Sequence, residues 1–190
     1  GADIHATDKD ENTALILAAR LGRTGSAQVL IAAKASVDAA NKEGDTALIL
    51  SAGKGHTECL QLLIDAKAAI DAANTSRDTG LLLAARKGHS GCLQLLLDAK
   101  ADMGIAAMRG NTAAMLAANT GHLECLQMLL DAKANIDATN DDGESALTCA
   151  ASYGHTNCVQ HLLVAKCSLN QTNKHGDTAL ILAVRHGHTA

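Results

Sequence analysis

The chain has 190 residues and a formal net charge of −4, with no proline, no tryptophan and a single aromatic residue, Tyr153. That charge is too mild and too negative for a nucleic-acid footprint, which needs a concentrated basic face, and no aromatic ladder exists on which single-stranded bases could stack. A core of this size built from alanine and leucine points to thin, closely packed helices, because aromatics normally supply much of the buried area.

The chain repeats itself. Four of its six cysteines stand at 59, 92, 125 and 158, each 33 residues after the last. In this frame residues 1–7 read as the tail of a preceding unit, and full repeats occupy 8–40, 41–73, 74–106, 107–139 and 140–172. A partial repeat fills 173–190, and the whole is expected to form one array over 1–190.

Each unit opens on a helix start. Thr13, Thr46, Thr79, Thr112, Ser145 and Thr178 can accept a hydrogen bond from an otherwise unpaired backbone N–H. In the type unit, a first helix is expected over about 47–53. Gly55 then supplies a left-handed turn, as do Gly22, Gly88, Gly121, Gly154 and Gly187. A second helix is expected over about 57–66, with Leu60, Leu62 and Leu63 as its apolar stripe. The alanine pairs Ala18–Ala19, Ala84–Ala85, Ala117–Ala118 and Ala150–Ala151 let first helices approach closely. A polar hairpin carrying Gly44, Gly110, Gly143 or Gly176 leads into the next unit. One such unit cannot bury both of its apolar sides, whereas a stack can.

The pattern resembles the ankyrin repeat family over essentially the whole chain. The period, the T-x-L start, the A-A pair, the Gly–His turn (Gly55–His56, Gly88–His89, Gly121–His122, Gly154–His155, Gly187–His188) and the second-helix leucines carry the resemblance. It implies an all-α fold, an ankyrin-type solenoid of stacked helix–turn–helix repeats with hairpin loops. It also implies a protein-binding scaffold.

Two departures recur. The family's T-P-L-H is T-A-L-I at Thr13–Ile16, Thr46–Ile49 and Thr178–Ile181, so the family histidine that ties neighbouring loops is expected to give way to an apolar contact. Lysine stands at 34, 67, 100, 133 and 166, where the family prefers glycine. A left-handed lysine costs about 1–2 kcal/mol against glycine, and sequence leaves open whether the geometry is kept.

Candidate chemistry is sparse. Histidine and cysteine fall three apart in four units (His56 and Cys59, for example), but a structural zinc site wants four ligands and each unit offers two. The cysteines, including Cys149 and Cys167, read as reduced packing residues, which points to an intracellular, cytoplasmic protein without disulfides. His161 in the leucine stripe reads as a partly exposed histidine rather than a pH switch. No nucleophile, base and orienter can be assembled, so no enzyme, metal or cofactor is expected. The longest apolar runs are too short to cross a bilayer.

In the family, partners contact the hairpin tips and the exposed end of the first helix, along a concave face. Carried over, the first three units contribute Lys9, Asp10, Asn12, Arg20, Leu21, Lys42, Glu43, Asp45, Lys54, Thr75, Ser76, Asp78, Arg86 and Lys87. The fourth and fifth units are where the site is expected: Met108, Arg109, Asn111, Asn119, Asp141, Asp142, Glu144, Ser152 and Tyr153. Tyrosine and arginine are frequent interface anchors. The acidic run Asp141, Asp142, Glu144 points to a partner with a basic patch. The alternative is a structural subunit of a larger assembly, since Leu180 and Leu182 of the last unit have no second helix to cover them.

Overall fold

The computed structural model describes residues 3–188. Gly1 and Ala2 of the expected leading tail, and Thr189 and Ala190 of the expected partial repeat, lie outside them. Among the described residues there are eleven α-helices and no strand, only isolated bridges such as Thr7 with Thr13. The residues form two compact units, one reaching to Ala84 and including Gly91–Asp102, the other comprising Ala85–Ser90 and everything from Met103 onward. None of the helices is long and apolar enough to cross a membrane.

The first unit holds α1 (Ala14–Arg20), α2 (Thr24–Ala32), α3 (Ala47–Lys54) and α4 (Thr57–Asp65). Two further helices, α5 (Gly80–Lys87) and α6 (Ser90–Asp98), follow. Within it α1 packs on both α2 and α3, and α3 on α4. The second unit holds α7 (Ala113–Thr120), α8 (Leu123–Asp131), α9 (Ala146–Ser152), α10 (Thr156–Val164) and α11 (Ala179–Arg185), with α9 packed against α7, α10 and α11.

The expected caps form. The hydroxyls of Thr13, Thr46, Thr79, Thr112 and Thr178 accept from the backbone N–H three residues on, at 3.2–3.4 Å. Ser145 goes further, because Thr148 stands where the other units carry an apolar residue. Its hydroxyl accepts from Ser145 N at 2.7 Å, closing a reciprocal capping box and satisfying a buried polar side chain.

Alanines 18, 19, 117, 118, 150 and 151 are buried, as close helix approach requires. The buried stripe of the second helix differs from expectation. It is Cys59, Leu60 and Leu63, repeated by Cys92, Leu93, Leu96 and by Cys125, Leu126, Leu129, while Leu62 is only half-buried. His161 holds the Leu62 position and is half-buried as well, so a polar ring is tolerated there.

The lysines keep the family geometry. Lys34, Lys67, Lys100, Lys133 and Lys166 all have positive φ, between 61° and 70°. Each closes its helix with a paired motif: Lys67 N donates to Ile64 O and Ala68 N to Leu63 O, both at 3.0 Å. Left-handed strain is thus built into all five second-helix ends.

The last unit corrects one expectation. Leu182 is 6% exposed and belongs to the core, whereas Leu180 is 74% exposed and Ile181 and Val184 are also open. Leu163, Leu169 and Leu180 border an apolar groove of about 440 Å³ there.

Candidate partner-binding site

The site is built from two neighbouring hairpins of the second unit. In the hairpin 140–145, Asn140 is the organiser. Its side-chain oxygen accepts from Asp142 N at 3.0 Å and Glu144 N at 2.9 Å, which holds the turn open at its base. Its amide nitrogen donates to Asn111 Oδ1 and Glu144 Oε2, both at 2.9 Å. Asp8, Asn41, Asn74 and Asn173 hold their own hairpins in the same two-bond way.

The hairpin 107–112 has Ala107 in that place and no side-chain acceptor to offer. Its turn tightens instead into a short 3-10 segment, Met108–Gly110, with Arg109 at φ 66° and Gly110 at φ 74°. A Cβ on Gly110 would lie 2.9 Å from Asp141 Oδ1 and 3.2 Å from Asp141 N, so glycine lets the next hairpin approach without a shift. Arg109 O accepts from Asp141 N at 2.9 Å, and the Arg109 guanidinium pairs with Asp142. Lys174, from the following hairpin, pairs with the same carboxylate. The Lys174 ammonium, joined by the Arg109 guanidinium, holds the Asp142 carboxyl below the usual carboxylate range, against the opposing effect of desolvation.

The helix ends complete the site. His155 Nε2 lies 3.1 Å from the Asn119 carbonyl, which accepts from it. The His155 ring covers Gly121, where a Cβ would come within 2.6 Å of Nδ1. The Gly–His pair therefore joins successive repeats, the histidine of one closing over the glycine of the one before. The Tyr153 ring stacks toward His155, with centroids 6.4 Å apart and an interplanar angle of 17°.

Between the two hairpins and the ends of α7 and α9 lies a cavity of about 170 Å³. Six of the nine expected residues line it: Arg109, Asn111, Asn119, Asp142, Glu144 and Tyr153. Met108 and Asp141 are exposed at the hairpin tips beside it, while Ser152 turns away, its hydroxyl 3.1 Å from His186 Nδ1. Two expectations change. The acidic run is not an open negative patch, because Asp142 is already neutralised, and the Arg109 fork is engaged within the chain. Sequence reasoning also missed Asn140 and Leu116 as lining residues and the part played by Cys149. The recurring asparagine or aspartate at hairpin position one, broken only by Ala107, was the available signal.

Burial disfavours the thiolate at five of the six cysteines. Burial pushes Cys92 and Cys125 up to about 11 and Cys149 up to about 12, the last helped by Glu144, and it raises Cys158 and Cys167 too. Among the described residues no three His, Cys, Asp or Glu side chains gather as a metal-binding group. The spaced histidines and cysteines serve separate ends, His56 Nε2 reaching back to the Arg20 carbonyl at 3.3 Å while Cys59 is packed in the core.

The family model for ankyrin repeats (3 copies) matches residues 1–74, 67–140 and 115–190. Together with the all-helical units described above, it gives the fold class as an ankyrin-type helix–turn–helix solenoid. Among curated proteins none matches the chain.

Proposed function

The chain belongs to the ankyrin repeat family, whose repeats are generally protein–protein interaction modules, and on that premise we propose that it holds a partner protein at the surface around Tyr153. One observation carries this reading. The only aromatic of the chain lines a polar cavity and is 60% exposed, and Met108, next to the lining residue Arg109 in the chain, is 57% exposed. An aromatic and a methionine left in water beside a recess are what interface anchors look like before their partner arrives. The partner presents basic groups, since Glu144 and Asp141 are the carboxylates of the site not neutralised by an ion pair. Binding, not catalysis, is the role this reading assigns, because the ankyrin repeat fold is typically a binding scaffold. Six free cysteines suit a reducing, intracellular compartment, the cytoplasm above all.

The test compares affinity capture by the native chain with capture by a variant carrying Tyr153→Ala and Met108→Ala. Both side chains are exposed, so the variant should keep its thermal midpoint. A protein captured by the native chain and lost from the variant is the expected result; an unchanged captured set retires the surface.

A second reading, a structural subunit of a larger assembly, is favoured by the apolar groove beside Leu163, Leu169 and Leu180. Its mark is association through that groove, read by light scattering at rising concentration and abolished by Leu180→Glu.

A further inference from the structure

The sixth unit contains a pattern that the fifth leaves incomplete. In the last turn of α11, the Arg185 guanidinium grips the Asp177 carboxylate of its own hairpin with two bonds, one of them 2.7 Å. Arginine and carboxylate stand eight residues apart. The same two positions in the fifth unit hold Ser152 and Glu144. The carboxylate is present and its in-chain guanidinium is missing.

A third position decides whether space remains. Leu17, Leu50, Leu83, Leu116 and Leu182 fill it in the other units, and Cys149 takes it in the fifth. The smaller side chain lines the cavity of about 170 Å³ described above. Asp45 of the second repeat also lacks an arginine, having Gly53 at that position, but Leu50 keeps its bulk and Asn74 donates to the carboxylate at 2.8 Å. Only the fifth unit combines an acid, a missing arginine and a shortened core residue.

We propose that this cavity is a slot for one arginine side chain of the partner protein, whose guanidinium takes on Glu144 the place that Arg185 takes on Asp177. The proposal rests on the partner-binding reading and names the group recognised. The chemistry fits. Glu144 accepts one side-chain bond, from Asn140, and a carboxylate offers about four lone-pair sites. Tyr153 at the rim gives a ring face for a planar cation. Arg109 and Lys174 are both engaged by Asp142, which leaves Glu144 as the carboxylate lining the cavity that has no ion-pair partner. The volume suits one long side chain and falls below the roughly 300 Å³ at which small-molecule pockets begin.

The test is a nuclear magnetic resonance titration of the full chain with N-acetyl-L-arginine methylamide, beside the citrulline analogue of the same shape and no charge. Saturable shifts centred on the Glu144, Cys149 and Tyr153 amides are expected, with citrulline weaker by about tenfold or more, because charge-assisted bidentate bonds are the strong ones. Glu144→Gln, which keeps the bond from Asn140, should weaken arginine to the citrulline level. Cys149→Leu, which restores the residue of the other units, should abolish binding without unfolding the chain. Ser152→Arg should do the same by supplying the guanidinium in cis. Equal shifts from arginine and citrulline, or arginine binding unchanged by Glu144→Gln and Cys149→Leu, overturn the slot. If a captured protein depends on Tyr153 and the arginine probe shows no such selectivity, the slot alone falls. If the probe binds as stated and no captured protein depends on Tyr153 or Met108, the partner surface alone falls.

Discussion

The hairpins 107–112 and 140–145 are neighbours in one unit, share a chain length and a glycine at the same position, and are held by different physics. Asn140 fastens its turn from within, its side chain accepting from the backbone N–H groups of Asp142 and Glu144 and donating to the Asn111 and Glu144 side chains. Ala107 can do none of this, and the turn closes through a left-handed arginine. Such a residue costs about 1–2 kcal/mol. The exposed ion pair between Arg109 and Asp142 offsets little of it, because solvent screens the pair. The hairpin 107–112 is therefore the less stable of the two and opens first, and segments that engage partners are drawn from that end of the range.

The largest effect is expected from making the better hairpin resemble the poorer one. Asn140 is 8% exposed. Asn140→Ala removes its four bonds and leaves the N–H groups of Asp142 and Glu144 without their acceptor. A loss of about 2–3 kcal/mol is expected, toward the upper end for buried hydrogen-bond deletions. Urea unfolding monitored by circular dichroism reads it, and a loss under about 0.5 kcal/mol means the turn does not depend on this side chain. The reverse change, Ala107→Asn, should gain about 1 kcal/mol, the net worth of a satisfied hydrogen bond. It should also return Arg109 to negative φ, seen in its amide–Hα coupling. A gain without the conformational change would break the link drawn between the asparagine and the arginine.

Much of this was legible in the chain. The six caps and the Gly–His turns recur by residue type, and the helices fall within one residue of their expected ends, Ala47–Lys54 against 47–53 and Thr57–Asp65 against 57–66. What escaped is whatever depends on which side of a helix meets which neighbour. Leu60, Leu62 and Leu63 look alike in a pattern, yet Leu62 stays half-exposed because the buried face runs through Cys59, Leu60 and Leu63. The same blindness hid the site. Glu144 and Ser152 are expected at the surface and Cys149 in the packing, but nothing in the pattern joins the three. They mean something only once Asn111 and Asn119 of the preceding unit are seen across the cavity, and once Arg185 on Asp177 shows the arrangement they lack.

A smaller effect tests strain where both hairpin types are alike, at the second-helix ends. Lys67 has φ 65° and its N–H is satisfied by Ile64. Lys67→Gly relieves about 1–2 kcal/mol of left-handed strain, while glycine's extra freedom in the unfolded chain takes back about 0.5–1 kcal/mol. A net gain of about 0.5–1 kcal/mol in thermal or urea stability is expected. A net loss would mean that the lysine charge, close to the helix C-terminus, outweighs its backbone cost.

The smallest effect concerns the contact that joins the two hairpins. Lys174 and then Arg109 hold Asp142 below the ordinary aspartate value of about 3.9, so the folded chain favours its ionised form. The unfolded chain takes up the proton first as pH falls. The stability contributed by Asp142 is thus fully present above the unfolded value and is lost as pH drops through the lower folded one. Asp142→Asn should cost stability at pH 6, and the gap between the two proteins should narrow steadily below pH 4. High salt at pH 6 should narrow it as well, because the pair is open to solvent and ions screen it. The amides of hairpin 107–112 should lose exchange protection in the variant before those of hairpin 140–145, since Asn140 still holds the latter when the ion pair is gone. Equal loss in both hairpins would show that the pair, and not the asparagine, is what keeps 140–145 closed.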